Sequence, residues 1–111
     1  MAHLAAIAES IRLIHAYVDG VGCRHYCENA QISDAVERRF AIIGEALTRL
    51  KRDAPEVHAT IDHTAEIAAF RNIIIHAYDQ LDFQVFWEVI HRDLPTLERQ
   101  IQAAIEQNRG A

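Results

Sequence analysis

The stretch Phe70-Arg71-Asn72-Ile73-Ile74-Ile75-His76-Ala77-Tyr78 decides how the rest of the chain is interpreted, because it sets four polar side chains among apolar ones. Apolar residues recur around it in steps of three and four, which predicts an amphipathic helix with one buried stripe. Asn72 and His76 are four residues apart and share a face roughly opposite that stripe. The predicted stripe consists of Ile67, Phe70, Ile74, Ala77 and Leu81.

This helix carries more apolar surface than one core contact uses, because Ile73 and Ile75 fall outside the stripe. A polar group displayed beside such surface is typical of a site at an interface. On a straight helix His76 and Tyr78 point about 160° apart, so the polar groups do not converge unaided. Convergence would require a bend near Tyr78, the long reach of Arg71, or a second copy of the chain. A solvated polar face is the alternative that spacing alone leaves open.

Length and composition predict one domain over residues 1–111 with a single core. Half of the residues are apolar, and only two prolines and four glycines occur, which favours a mostly helical protein. The formal charge of −5 argues against a protein that coats nucleic acid non-specifically. Of the 11 basic residues only Lys51 is lysine, and the arginines suit bidentate phosphate contact at a local site.

No targeting or membrane segment is predicted. The chain does not start with basic residues followed by an unbroken apolar run, and no apolar run reaches the length of a membrane span. We therefore expect a cytoplasmic protein without membrane contact. The pattern Cys23-x-His25-x-Cys27 could form half of a metal site, but zinc needs three or four ligands and the other histidines show no paired spacing. No metal and no cofactor are predicted.

The chain is predicted to be all-α, an up-down four-helix bundle with a short extra helix. Ser33 or Asp34 is expected to cap the second helix, with Glu37 completing a capping box. Asp82 is expected to cap the fourth helix, and Pro95 to kink or restart it just after Asp93. The four predicted helices cover about 2–18, 33–53, 62–80 and 82–108, and the short one covers 23–29.

Each long helix has an apolar seam. The predicted seams are Leu4, Ile7, Ile11, Ile14 and Val18; Val36, Phe40, Ile43, Leu47 and Leu50; and Phe83, Trp87, Ile90, Leu94, Leu97, Ile101 and Ala104. The second helix also carries basic residues on its outer surface, among them Arg38, Arg39 and Arg49. They predict either a solvated face or an RNA-binding rim for phosphates, and the sequence leaves both open.

The motif Arg71-Asn72, three apolar residues, His76, one small residue and Tyr78 resembles the signature of the HEPN superfamily, and the tyrosine is typical of its HepT-like toxin branch. The resemblance extends to residues 35–47 and 86–95, in order and with matching spacing, so that it spans about residues 33 to 105. It implies a HEPN-like, dimeric fold in which motif helices from two chains line one cleft.

The same resemblance implies a metal-independent endoribonuclease toxin. Its partner is expected to be an MNT-type nucleotidyltransferase antitoxin that neutralises the toxin by AMPylation of Tyr78. A non-catalytic HEPN module, which binds nucleotide or serves the nucleotidyltransferase as a folded partner, is the alternative function. The two alternatives share one fold, so they differ in activity and not in architecture.

The residues of the motif suit RNA cleavage without metal. Such cleavage needs a base for the ribose 2′-hydroxyl, an acid for the leaving oxygen and a cation for the phosphorane. His76 is expected to act as acid or base, because an unperturbed histidine titrates near a pKa of about 6.5. Arg71 is expected to hold the non-bridging oxygens. Asn72 is expected to support them by positioning the phosphate or fixing the tautomer of His76.

Overall fold

The computed structural model describes residues 2–61, 67 and 83–109 of the chain. Nearly all of these residues are helical, and none of them forms a strand. The elements are α1 (Ala2–Val18), α2 (Cys23–Glu28), α3 (Ala30–Asp53), α4 (Pro55–His58), α5 (Phe83–Glu88), a π-helical turn (Val89–Asp93) and α6 (Leu94–Asn108). The prediction of an all-α protein is confirmed.

Helix α1 has the predicted range, and its seam is buried as predicted. The side chains of Glu9 and Arg12 lie outside the seam and form an exposed ion pair of 2.6 Å. Helix α1 ends at Val18, whose carbonyl accepts a hydrogen bond from the amide of Val21. Gly20 has a φ of 71°, a left-handed conformation that glycine adopts without steric cost.

Helix α3 begins at Ala30, earlier than predicted, and Asn29 is its N-cap. The Asn29 side-chain oxygen accepts a hydrogen bond of 3.1 Å from the amide of Ile32, which satisfies one free donor of the first turn. The predicted cap at Ser33 or Asp34, with its capping box, is therefore wrong. Ser33 is buried inside the helix, and its hydroxyl donates to the carbonyl of Ala30. Asn29 is also the C-cap of α2, so one residue joins the two helices.

Helix α3 buries its predicted seam in full. It ends at Asp53, directly before Ala54 and Pro55, as expected from the steric effect of proline on the preceding residue. Residues Pro55–His58 then form the single helical turn of α4, within the predicted connector. Helix α3 packs along α1, and together they form the largest helix pair of the described chain.

The C-terminal segment restarts where proline predicts, through a π-helical turn. Leu94 donates its amide hydrogen to the carbonyl of Val89, five residues back, and Pro95 lies in the first turn of α6. A proline lacks the amide hydrogen and its ring crowds the preceding turn, so the regular α-helical pattern is interrupted here by the wider turn. The predicted cap residue, Asp82, lies outside the described residues.

The predicted seam of this segment is wrong for α5, before the π-helical turn, and is confirmed for the residues from Ile90 onwards. Phe86 and Val89 are buried, whereas Phe83 and Trp87 are only half-buried. The wider turn holds an extra residue, so the buried face of α5 is offset from that of α6. Residues Ile90, Leu94, Leu97, Ile101 and Ala104 are buried as predicted.

Aromatic contacts and helix packing connect the helices into one core. The rings of Phe40 in α3 and Phe86 in α5 lie 5.6 Å apart, and α6 packs against α1. Tyr26 of α2 is fully buried, with its ring 5.5 Å from that of Trp87 and 6.5 Å from that of Phe83. The short helix α2 is therefore held by aromatic packing.

The third predicted helix lies outside the described residues except for Ile67, so the up-down order of four helices and the dimer stay predictions. Ile67 is helical and fully buried, as its place in the predicted stripe requires. Among the described helices, none combines the length and the apolar character that crossing a membrane demands.

Candidate functional site

The residues of the predicted catalytic motif lie outside the described residues, and so do the two isoleucines expected at an interface. These residues are Arg71, Asn72, His76 and Tyr78, with Ile73 and Ile75. The buried position of Ile67 supports only the start of the stripe behind them. Their roles therefore remain predictions, and the described structure shows the surfaces of the other helices.

The three arginines of the predicted RNA-binding rim do not share one surface. Arg38 and Arg49 line a groove of about 420 Å³ between α1 and α3. Arg39, the neighbour of Arg38, points elsewhere and lies close enough to Glu9 of α1 to lower the pKa of that carboxyl, after the larger effect of Arg12. The RNA-binding role of the three residues is untested, but a rim built on all of them would have to span two faces of α3.

The groove combines small side chains with alternating charges. Ala6 of α1 and Ala41 and Ala46 of α3 keep it open, and Ile42 adds apolar surface. Arg49 forms an ion pair of 3.3 Å with Glu45 within α3. Within the described part of the chain, Arg38 forms no ion pair, so its charge is available to another molecule. Glu45 partly offsets the basic surface of this helix, and its spacing of four before Arg49 is the sequence signal for the pair.

One end of the groove is fixed by a small polar network. His3 lines the groove, and its Nε2 lies 2.8 Å from a carboxylate oxygen of Asp53. Arg52 donates to the same carboxylate at 2.8 Å. The hydrogen bond from Arg52, followed by that from His3, holds the pKa of the Asp53 carboxyl well below its usual range. The contact ties the start of α1 to the end of α3.

A second feature, a pair of rings in contact, lies at the start of the π-helical turn. The rings of Trp87 and His91 have centroids 4.2 Å apart, and His91 is exposed. Nδ1 of His91 lies 2.9 Å from the carbonyl oxygen of Trp87, so this nitrogen donates and carries the proton. Nε2 is then the acceptor of the neutral ring. The Trp-x₃-His spacing before a proline was the signal for this pair.

The thiols of α2 do not assemble a metal site in the described structure. Cys23 and Cys27 form no disulfide and are half-buried, while His25 receives a 3.2 Å contact from the Asn29 amide. Nowhere in residues 2–61 and 83–109 do three or more His, Cys, Asp or Glu side chains gather as metal ligands would. Metal chemistry at α2 therefore has no support from the described geometry.

Comparison with known proteins identifies the family. The model of the HepT-like ribonuclease family matches residues 7–104. A protein of Thermococcus cleftensis named "probable ribonuclease HepT" is 32% identical over 96 residues, which cover 86% of each chain. A candidate RNase of Caldanaerobacter subterraneus subsp. tengcongensis is 26% identical over 107 residues, covering 96% of this chain and 95% of the relative.

A longer relative from Methanocaldococcus jannaschii is named as a gamma-glutamylcyclotransferase and candidate RNase. It is 34% identical over 105 residues, which cover 95% of this chain and 47% of the relative. No solved structure gives a significant match. The family match extends over most of the chain and includes the stretch from Phe70 to Tyr78, so the chain belongs to the HepT-like ribonuclease family.

Proposed function

We propose that the chain is a metal-independent endoribonuclease toxin that works as a homodimer. The observation that carries the proposal is the match of the ribonuclease family over residues 7–104, which contains the whole Arg71–Tyr78 motif. The packing of α1, α3 and α6 supplies the rigid scaffold that such a motif needs.

In this mechanism His76 carries out the proton transfers. One His76 removes the proton of the ribose 2′-hydroxyl, the oxygen attacks phosphorus, and the 5′-oxygen leaves with a proton from the other His76. Arg71 stabilises the charge that develops on the non-bridging oxygens, and Asn72 positions the phosphate. The products are a 2′,3′-cyclic phosphate and a 5′-hydroxyl. The two histidines come from two chains, which is why the proposal requires a dimer.

RNA cleavage by purified variants tests this mechanism. His76→Ala and Arg71→Ala should each lower the rate at least about a hundredfold, since each removes an essential group. Activity should persist in chelator. His91→Ala is the matched control, because it removes another histidine, which is exposed and lies against the ring of Trp87. Full activity of the His76 or Arg71 variant, or strict dependence on a divalent ion, would contradict the mechanism. A folded wild-type protein without any cleavage would favour the non-catalytic module.

Neutralisation is proposed to occur at Tyr78. An MNT-type nucleotidyltransferase partner transfers AMP from ATP to the phenol oxygen and releases pyrophosphate. The adenylate phosphate then competes with the RNA phosphate for Arg71 and repels the RNA backbone. Tyr78→Phe should retain nuclease activity and escape inhibition by the partner with ATP, and mass spectrometry should find the adenylate on the wild-type Tyr78 peptide. Equal silencing of Tyr78→Phe would show inhibition by simple occlusion.

A further inference from the structure

The outer face of α3 has a charge pattern that is complementary to itself when the helix is reversed. Six residues fall within about 100° of the helix circumference, opposite the buried seam. In chain order this stripe consists of Asp34, Arg38, Ala41, Ile42, Glu45 and Arg49. Reversal about a point between Ala41 and Ile42 exchanges Asp34 with Arg49 and Arg38 with Glu45. Each acidic position is thereby exchanged with a basic one.

We infer that this stripe is the two-fold interface of a homodimer, with the α3 helices of two copies packed antiparallel. Arg38 then lies opposite Glu45 of the second copy, and Asp34 lies opposite Arg49. A two-fold axis forms each of these pairs twice. The inference deepens the proposed function, on which it rests for the need of a dimer, by naming the surface that joins the copies.

The exposure of the stripe allows these contacts. Asp34, Arg38 and Arg49 are exposed, and Ala41 and Ile42 are half-exposed. Neither Asp34 nor Arg38 forms an ion pair within the described residues. A second copy can therefore form ion pairs with Asp34 and Arg38 without breaking an ion pair between described residues of the folded chain. Glu45 keeps its 3.3 Å ion pair with Arg49 of the same helix, and in the proposed dimer the partner's arginine joins this pair.

The groove beside the stripe gives the second helix room to approach. Ala6, Ala41 and Ala46 keep the groove open and free of bulky side chains. The Ile42 side chain of one copy can enter the groove of the other close to the axis. An apolar centre with charged pairs towards the ends is the usual anatomy of a protein interface. The stripe is about 22 Å long, so the flanking α1 surface contributes to the buried area.

The charge pattern also disfavours other alignments. A parallel pair would place each charge opposite its own copy. A slip of one helical turn would place Asp34 opposite Glu45, or Arg38 opposite Arg49. These repulsions select one register, as charges do in paired helices. The stripe thus gives Arg38 and Arg49 a protein partner in place of the RNA rim predicted from sequence, and RNA becomes the competing outcome of the test.

Analytical ultracentrifugation of charge-reversal variants tests the interface. Arg38→Glu and Glu45→Arg each turn two attractions into two repulsions, so each should raise the dimer dissociation constant at least about tenfold. The double variant should restore the dimer. Arg99→Glu, on the exposed surface of α6, makes the same change of charge and should leave the dimer intact. Circular dichroism checks that every variant is folded.

Disulfide crosslinking tests the register with a chain in which Cys23 and Cys27 are replaced by serine. Ala41→Cys lies beside the proposed axis and should crosslink two copies upon oxidation, whereas Thr48→Cys, on an exposed part of α3 about 10 Å further along, should not. Crosslinking at 48 but not at 41 would overturn the register.

The results separate the interface from the proposed activity. A monomeric wild type, unchanged association of Arg38→Glu, or a double variant that stays monomeric would each overturn the interface. If Arg38→Glu weakens only RNA cleavage while the dimer is unchanged, Arg38 serves RNA and the interface is likewise overturned. A charge-dependent dimer that cleaves no RNA would confirm the interface and refute the proposed ribonuclease.

Discussion

Replacement of Tyr26 by phenylalanine is expected to stabilise the protein. The side chain of Tyr26 is fully buried, and its hydroxyl has no hydrogen-bond partner among the described residues. Burial accordingly raises the pKa of the phenol well above its ordinary value. The ring itself is well placed against Trp87 and Phe83, and phenylalanine keeps that packing.

The magnitude follows from the cost of burying a polar group without a partner. That cost is about 1–3 kcal/mol, and the substitution removes it. The small void left by the oxygen offsets part of the gain, so we expect a net increase of about 1 kcal/mol in the free energy of unfolding. For a domain of this size, the melting temperature should rise by about 4 °C.

Urea and thermal denaturation of the variant measure this change. The urea midpoint should increase at an unchanged m-value, since the same surface becomes exposed upon unfolding. Tyr17→Phe provides the control, because Tyr17 is only half-buried and its hydroxyl is not among the buried unpartnered groups. The control should stay within about 0.5 kcal/mol of wild type. A loss of 1 kcal/mol or more in Tyr26→Phe would show that the hydroxyl has a partner and would refute the reasoning.

Three further changes have defined outcomes. Asn29→Ala should lower the free energy of unfolding by about 1 kcal/mol in urea titrations because it removes the cap of α3, while Asn29→Asp should be nearly neutral. Phe40→Ala should cost about 3–5 kcal/mol, since it empties the contact with Phe86, and a smaller loss would mean that the core collapses into the space. Burial and the charge of Lys51 lower the pKa of His58, so its neutral form is favoured in the folded state. The free energy of unfolding should therefore fall as the pH drops below 6.5, the pKa of His58 in the unfolded chain. Thermal melts between pH 5 and 8 should show a weaker pH dependence for His58→Gln than for wild type. Equal pH dependence of the two proteins would contradict the lowered pKa of His58.

The long helices were predictable because their seams are regular. In α1 the spacing of Leu4, Ile7 and Ile11 is that of one helical face, and Gly20 marks the turn that follows. The start of α3 was not predictable in the same way, since Asn29 and Ser33 are both good caps. Tertiary packing of Tyr26 places α2 directly before Asn29 and decides between them.

Pro95 indicated a break in the last helix but not its form. A kink, a gap or a wider turn all accommodate proline, and only packing against Tyr26 and Phe40 selects which residues of α5 become buried. The candidate site was likewise predictable only in part. Residue types and spacing indicate the chemistry expected of Arg71 and His76, whereas the meeting of two motif helices depends on a second chain that periodicity within one helix cannot describe.

The single-residue junction at Asn29 bears on how the length of this chain can vary among relatives. One inserted residue there would turn α2 by about 100° relative to α3 and carry Tyr26 away from Trp87. The turn at residues 19–22 is different, because it is exposed at Gly20 and Gly22 and a side chain on either glycine would meet no neighbouring atom. Insertions and deletions in this half of the chain should therefore collect at 19–22. A relative with an extra residue at the junction should also have replaced the aromatic residue at position 26.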